Sequence, residues 1–297
     1  MQSETQPVRR GDPPRTDAGP NKRQGMIARD TTLGEFAGES LEWEGEFRLV
    51  SCSRALNPSG LYGMDYSLNP YGGCEHGCIY CYAVGHTHSD PASWRVVRVK
   101  RNIADRLSRE LPYAEGTVGV GTATDPYQAA EGRFRLTRSC LEILASKDRD
   151  VRILTKSDLV LRDADLISEM GATVGISVSG LDDRISRMTE PGAPLPSARL
   201  AAMAELSDRG VRVFAMVAPL MSSSEDRAEE LADAIWDAGV RSIGCSGLNT
   251  RSMVPEGLER LERMGIRQSP EAVSRFRRRC AQLGLDGPPA DRDMHEL

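Results

Sequence analysis

From about residue 96 onward, short apolar runs alternate with stretches in which apolar residues recur every three or four positions. The first kind has the length and β-branched content of a buried strand, and the second has the stripe of a helix packed on one side. The pattern predicts a short strand at 96–99 and a helix over 102–111, then a buried strand at 117–124 and a helix over 134–147. A strand at 151–156 follows, then a helix over 163–170, a strand at 173–178 and a helix over 197–209 between Pro196 and Gly210. The series continues with a strand at 211–218, a helix over 225–238 ended by Gly239, and a strand at 241–245. Two helices, 255–264 and 270–283, complete it. Before the series, a strand is expected at 64–68, and 47–50 is a lone apolar run.

Strand–helix alternation with short connections implies parallel strands joined by right-handed crossovers, in a sheet either open or closed into a barrel. Counting the strand at 64–68 and taking 96–99 as an extended lead-in gives six βα units, and no repeat of solenoid length is visible. Residues 1–30 carry Pro, Gly, Arg, Asp, Gln and Thr with almost no apolar period, so they read as a disordered arm. The expected division is therefore arm 1–30, lead-in 31–66, α/β core 67–250, and a helical extension with a loose tail at 251–297.

The chemistry is concentrated at Asn69–Tyr82, where Cys74, Cys78 and Cys81 stand in C-x3-C-x2-C spacing. Gly72, Gly73 and Gly77 allow the tight turns that bring three sulfurs to one centre. A 4Fe–4S cluster takes four cysteine ligands, so three would leave one iron open to a small chelator. The rival reading is a structural Cys3His zinc site using His76, His86 or His88. The spacing suits zinc less well than paired C-x2-C knuckles. Cys52, Cys140, Cys245 and Cys280 are scattered and do not make a second cluster.

Charge and composition narrow the partners. Net charge is −5, the pI is near 5.6 and aromatics make up 5%, so neither a global basic field nor a broad base-stacking platform is expected. The run 275–279 holds four arginines, which read more simply as a solvated helix face than as a nucleic-acid site. No apolar stretch reaches transmembrane length and no signal-peptide core is present, which points to the cytoplasm.

The cysteine loop, with aromatic Tyr80 just before the third cysteine, resembles the C-x3-C-x-aromatic-C signature of the radical SAM superfamily. Together with Thr124-Asp-Pro-Tyr-Gln128, Leu154-Thr-Lys-Ser157 and Glu190-Pro191, it resembles the spore photoproduct lyase-like branch, over about residues 45–250. The resemblance implies an incomplete (β/α)6 barrel with the active site at the carboxyl ends of the strands. It also implies a 4Fe–4S cluster on Cys74, Cys78 and Cys81, with S-adenosylmethionine (SAM) chelating the open iron. An electron from a flavodoxin- or ferredoxin-type donor would cleave SAM to a 5′-deoxyadenosyl radical, which abstracts hydrogen from the substrate.

Carried over residue by residue, Lys156 corresponds to the lysine that binds the SAM carboxylate and Ser177 to the serine that helps hold SAM. Thr124-Asp125 stands for the branch's Ser-Asp pair, and Tyr80 and Tyr82 match its two tyrosines. Each has a plainer reading: Asp125 opening a turn, Ser177 and Ser179 satisfying backbone groups, Glu190 pairing with Arg199 as a structural ion pair. One departure matters. Where the lyases have a hydrogen-donating cysteine, this chain has Thr122, whose O–H is far stronger than a thiol S–H. Cys245, at a strand end, is the one other cysteine positioned to substitute. Thr122 and the acidic pI favour a small-molecule or peptide substrate over nucleic acid. DNA repair chemistry and a non-catalytic zinc module are the alternatives.

Overall fold

The computed structural model describes residues 42–285 and 287; the arm expected at 1–30 and the end of the tail lie outside them. The strands are β1 (Glu42–Glu44), β2 (Phe47–Val50), β3 (Leu56–Pro58), β4 (Tyr66–Leu68), β5 (Tyr71–Gly72), β6 (Arg98–Lys100), β7 (Val118–Val120), β8 (Val151–Thr155), β9 (Thr173–Ser177), β10 (Arg212–Leu220) and β11 (Ser242–Gly247). The helices are α1 (Tyr82–His86), α2 (Pro91–Trp94), α3 (Ile103–Glu110), α4 (Ala129–Phe134), α5 (Leu136–Ala145), α6 (Ala164–Glu169), α7 (Asp183–Thr189), α8 (Pro196–Asp208), α9 (Ala228–Asp237), α10 (Pro255–Arg263) and α11 (Pro270–Leu283).

The main sheet runs β11-β10-β9-β8-β7-β4-β3. Its six strands from β4 to β11 are parallel, and β3 lies antiparallel on the β4 edge. The six predicted βα units are thus present, in sequence order across the sheet. Val151, Ile153, Val174, Ile176, Ala215 and Val217 are fully buried on the face that packs under the flanking helices, while alternate residues such as Leu154 and Met216 turn to the other face. A smaller sheet, β1-β2-β6-β5, was not anticipated. The run at 96–99 belongs to it: Arg98–Lys100 pairs with β2 and β5 instead of joining the main sheet.

Two departures from the predicted elements shape the site. The strand expected at 117–124 ends at Val120, because Gly121 adopts φ +87° and a Cβ there would lie 2.5 Å from the Leu154 carbonyl. Residues 122–125 are thereby freed from the ladder. The helix expected over 134–147 is split at Arg135, which has φ +52°. The cause is buried Glu131, whose carboxylate accepts from the amides of Thr137 (2.9 Å) and Arg138 (3.2 Å) and so begins α5 afresh. Helix α7 was missed; Asp182 caps it by accepting from the amides of Arg184 and Ile185.

The C-terminal helices match expectation within a residue. Helix α11 lies along α9, with Arg275–Glu229 at 2.8 Å and Arg279–Asp233 at 2.7 Å. Arg277 donates to the Cys245 carbonyl, and Arg278 stands 3.6 Å from Glu271. The arginine run is therefore matched within the fold. No helix among the described residues is long and apolar enough to cross a membrane.

Candidate active site

The cysteine loop leaves β5 and crosses the carboxyl ends of the parallel strands, where it is fastened on several sides. The Cys74 amide donates to the Trp94 carbonyl (3.0 Å), and the Ile79 amide to Thr189 (2.9 Å). The Glu75 amide donates to Gln128 Oε1 (2.9 Å), while its carboxylate accepts from the Ala130 amide (2.7 Å). Gly73, at φ +79°, has no room for a side chain: a Cβ would stand 2.5 Å from the Trp94 carbonyl. From the other side, Gly257 of α10 packs so closely that a Cβ would lie 2.1 Å from the Ile79 carbonyl.

Held this way, Cys74, Cys78 and Cys81 line one cavity with His76, Tyr80, Tyr82, Thr122, Thr124, Asp125, Lys156 and Ser177. Leu61, Tyr62 and Met64, from the β3–β4 turn, and Met216, Ala218 and Leu248 add a mostly apolar part of the lining. Burial pushes the Cys74 thiol up to about 12, and it raises Cys78 and Cys81 as well. A thiolate trio in this setting needs a positive centre beside it. Lys156 supplies part of that field, lowering Cys78 and Cys81 against the burial effect. A cubane receives its thiolates at separate corners, and three cysteines on one loop facing one cavity fit that donor set.

Lys156 extends from the end of β8 and donates to the Ser177 hydroxyl at 2.9 Å. Its Nζ lies 5.8 Å from the centre of the Tyr80 ring and 3.9 Å from Glu190 Oε1. The Tyr80 hydroxyl shares a 3.0 Å hydrogen bond with Ser179, which donates to Glu190 at 3.2 Å. Glu190 forms the ion pair with Arg199 that the sequence suggested, and both are buried. Burial raises the Glu190 carboxyl, with Arg199 opposing it. Arg199 also donates to the Pro194 and Ser177 carbonyls, at 2.7 and 3.2 Å, tying this pair to the end of β9.

The freed 122–125 segment is fixed by Asn69, which sequence reasoning passed over. Its Oδ1 accepts from the amides of Ala123 and Thr124, and its Nδ2 donates to the Thr122 hydroxyl at 3.0 Å. The Tyr82 hydroxyl donates to the Thr122 carbonyl, and the Thr124 hydroxyl to that of Tyr71. Asp125 does open a turn, accepting from the Tyr127 amide at 2.9 Å. It also accepts from the Thr155 hydroxyl and the Lys156 amide, both at 2.7 Å.

His76 is buried and places Nδ1 3.3 Å from Asp125 Oδ2, whereas His86 and His88 are exposed.

Cys245, read from the sequence as a possible hydrogen donor, stands away from the cavity lining. It belongs to the core with Phe276 and Cys280 of α11. Strand alternation explains this: Met216 faces the cavity, so Val217 and its register partner Cys245 face the helices.

Fold and site together define a radical SAM protein. The Radical SAM superfamily model matches residues 68–235, more than half of the chain, and the chain belongs to that superfamily, whose members use a 4Fe–4S cluster and SAM. An uncharacterized Mycobacterium tuberculosis protein is 35% identical over 266 residues, covering 84% of this chain and 77% of the relative. An uncharacterized Methanocaldococcus jannaschii protein is 30% identical over 177 residues, 58% and 66% respectively. Among solved structures, spore photoproduct lyase complexed with dinucleoside spore photoproduct superposes with a TM-score of 0.62 at 17% identity, covering 80% of each chain. A lyase variant with bound AdoMet and the same dinucleoside gives 0.55 at 18%, over 76% and 71%. At these identities the likeness is one of fold.

Proposed function

We propose that this chain is a radical SAM enzyme acting on a small molecule or peptide. Cys74, Cys78 and Cys81 hold the 4Fe–4S cluster. Lys156 and Ser177 receive the SAM carboxylate, and Tyr80, Thr124 and Asp125 shape that half of the cavity. When bound, the cluster and SAM supply reductive C–S cleavage and a 5′-deoxyadenosyl radical that takes hydrogen from the substrate. The protein's own part is to orient both partners and exclude water. Tyr82, anchored on Thr122, borders the substrate side. One observation carries the reading: three half-buried thiols share a single cavity with Lys156.

The substrate class rests on the rest of the lining. Lys156 is the only Lys or Arg lining the cavity among the described residues, and it already donates to Ser177. A nucleic-acid substrate is held mainly through its phosphates, and this lining offers them little. Reduction would come from a flavodoxin- or ferredoxin-type donor.

The test is anaerobic reconstitution followed by dithionite and SAM. About four irons and four sulfides per chain and release of 5′-deoxyadenosine are expected, both lost in Cys74→Ala, Cys78→Ala or Cys81→Ala. A protein that takes up zinc alone and leaves SAM intact would overturn the reading. Salt-dependent binding of single- or double-stranded DNA, measured at two salt concentrations, would move the substrate class to nucleic acid.

A further inference from the structure

We propose that His76 is a further cofactor-contacting residue, an imidazole steered by Asp125 that hydrogen-bonds the methionyl end of bound SAM. This rests on the radical SAM reading, but the cysteine spacing does not require it.

The argument begins with Asp125, whose carboxylate looks from the sequence like the group to grip the SAM amine. In the fold its Oδ1 already accepts from the Tyr127 amide and the Thr155 hydroxyl, and its Oδ2 from the Lys156 amide. Its remaining reach is toward His76 Nδ1, at 3.3 Å. A carboxylate so filled acts by holding its neighbours, and the neighbour it holds on the cavity side is the imidazole.

His76 is 3% exposed and lines the cavity between Cys74 and Cys78. Its backbone is immobilised, since its carbonyl accepts from the Gly192 amide at 3.0 Å. Apart from Asp125, the ring has no polar partner among the described residues. A buried polar ring aimed into a cavity is completed by what enters it, and a carboxylate on one ring nitrogen directs the other outward. The charged groups facing it are Asp125, Lys156 and, farther away, Arg199. Lys156 and His76 line the same cavity, as suits a small ligand end carrying both an amine and a carboxylate.

The experiment uses the full chain with its cluster reconstituted. SAM dissociation constants from anaerobic equilibrium dialysis are compared for wild type, His76→Phe and His76→Asn, with iron counted in each. Iron should stay near about four per chain. His76→Phe should weaken SAM about tenfold, and His76→Asn, which keeps a donor and an acceptor, should recover part of that loss. Unchanged SAM affinity in both variants would overturn the inference. So would loss of iron in His76→Asn, which would place the ring among the groups holding metal. If His76→Phe fails to fold, the Asn variant decides alone. A wild-type protein that holds the cluster yet binds no SAM would instead remove the radical SAM reading, and this inference with it.

Discussion

Removing one partner of the Glu190–Arg199 pair should produce two distinguishable kinds of damage. Arg199 is 0% and Glu190 2% exposed, so neither charge can turn to water. In Glu190→Gln the guanidinium stays buried, and it cannot shed its proton. Stranding one member of a buried pair costs about 3–5 kcal/mol. In Arg199→Met the carboxyl is stranded, but it can take up a proton. Burial already raises its pKa, with Arg199 pulling the other way, and loss of Arg199 raises it further. A carboxyl raised in the folded state contributes stability that is present at low pH and lost as pH rises through the folded value. Arg199→Met should therefore be more stable near pH 5 than near pH 8, whereas Glu190→Gln should have no such slope. Arg199→Met also loses the donors to Pro194 and Ser177, adding about 1 kcal/mol for each bond. Urea unfolding of the cluster-free, reduced protein at both pH values is the assay. A cost below about 1 kcal/mol for Glu190→Gln, or equal pH slopes in the two variants, would refute the reasoning.

Gly192→Ala should prevent cluster uptake, because the new Cβ would lie 2.1 Å from the Glu75 carbonyl, a backbone atom that can move only with the cysteine loop. We expect a loss of at least about 2 kcal/mol and iron well below wild type; normal iron content would contradict it. Asp163 supplies the acid limb of the stability profile. Burial pushes its carboxyl up, but hydrogen bonds from Arg162, Arg138 and Tyr127 outweigh that and hold it below the usual range. That stability is present at neutral pH and fades as pH falls below about 4. Asp163→Asn should lower neutral stability and flatten the acid limb, which urea midpoints from pH 3 to 7, as rough bounds, would reveal.

The alternation of elements was readable because each parallel strand buries one face beneath helices and leaves a short run rich in apolar residues between helical stripes. The small sheet was not, because its strands are two to four residues long and their pairing spans distant segments. The break at Arg135 was equally hidden, since its cause is a carboxylate four residues upstream pointing at amides downstream. Spacing alone pointed to the three cysteines and strand ends to Lys156 and Ser177, and the fold brings all five to one cavity. Cys245 shows the limit of that method: a strand end says a residue is near the mouth, but only register decides which face it takes. Asn69 and His76 left no periodic signal, as each matters through partners more than forty residues away.

Taken together, the loop contacts separate two costs of building the cluster site. The backbone of 73–79 is fixed by Trp94, Gln128, Thr189 and Gly192 on one side and by Gly257 on the other. None of these partners is a cysteine, so the loop's backbone is tied to the fold independently of the three sulfurs. What the protein alone disfavours is the thiolate form: burial raises all three thiols, and Lys156 is the nearby cation that lowers two of them. A cluster entering this loop would thus meet ligands already in place, and its binding energy would go into forming thiolates rather than ordering chain. This differs from small zinc domains, which fold around their metal. It also explains why Gly192 and Gly257, neither of which bears a donor atom, are as tightly specified by the fold as the cysteines they support.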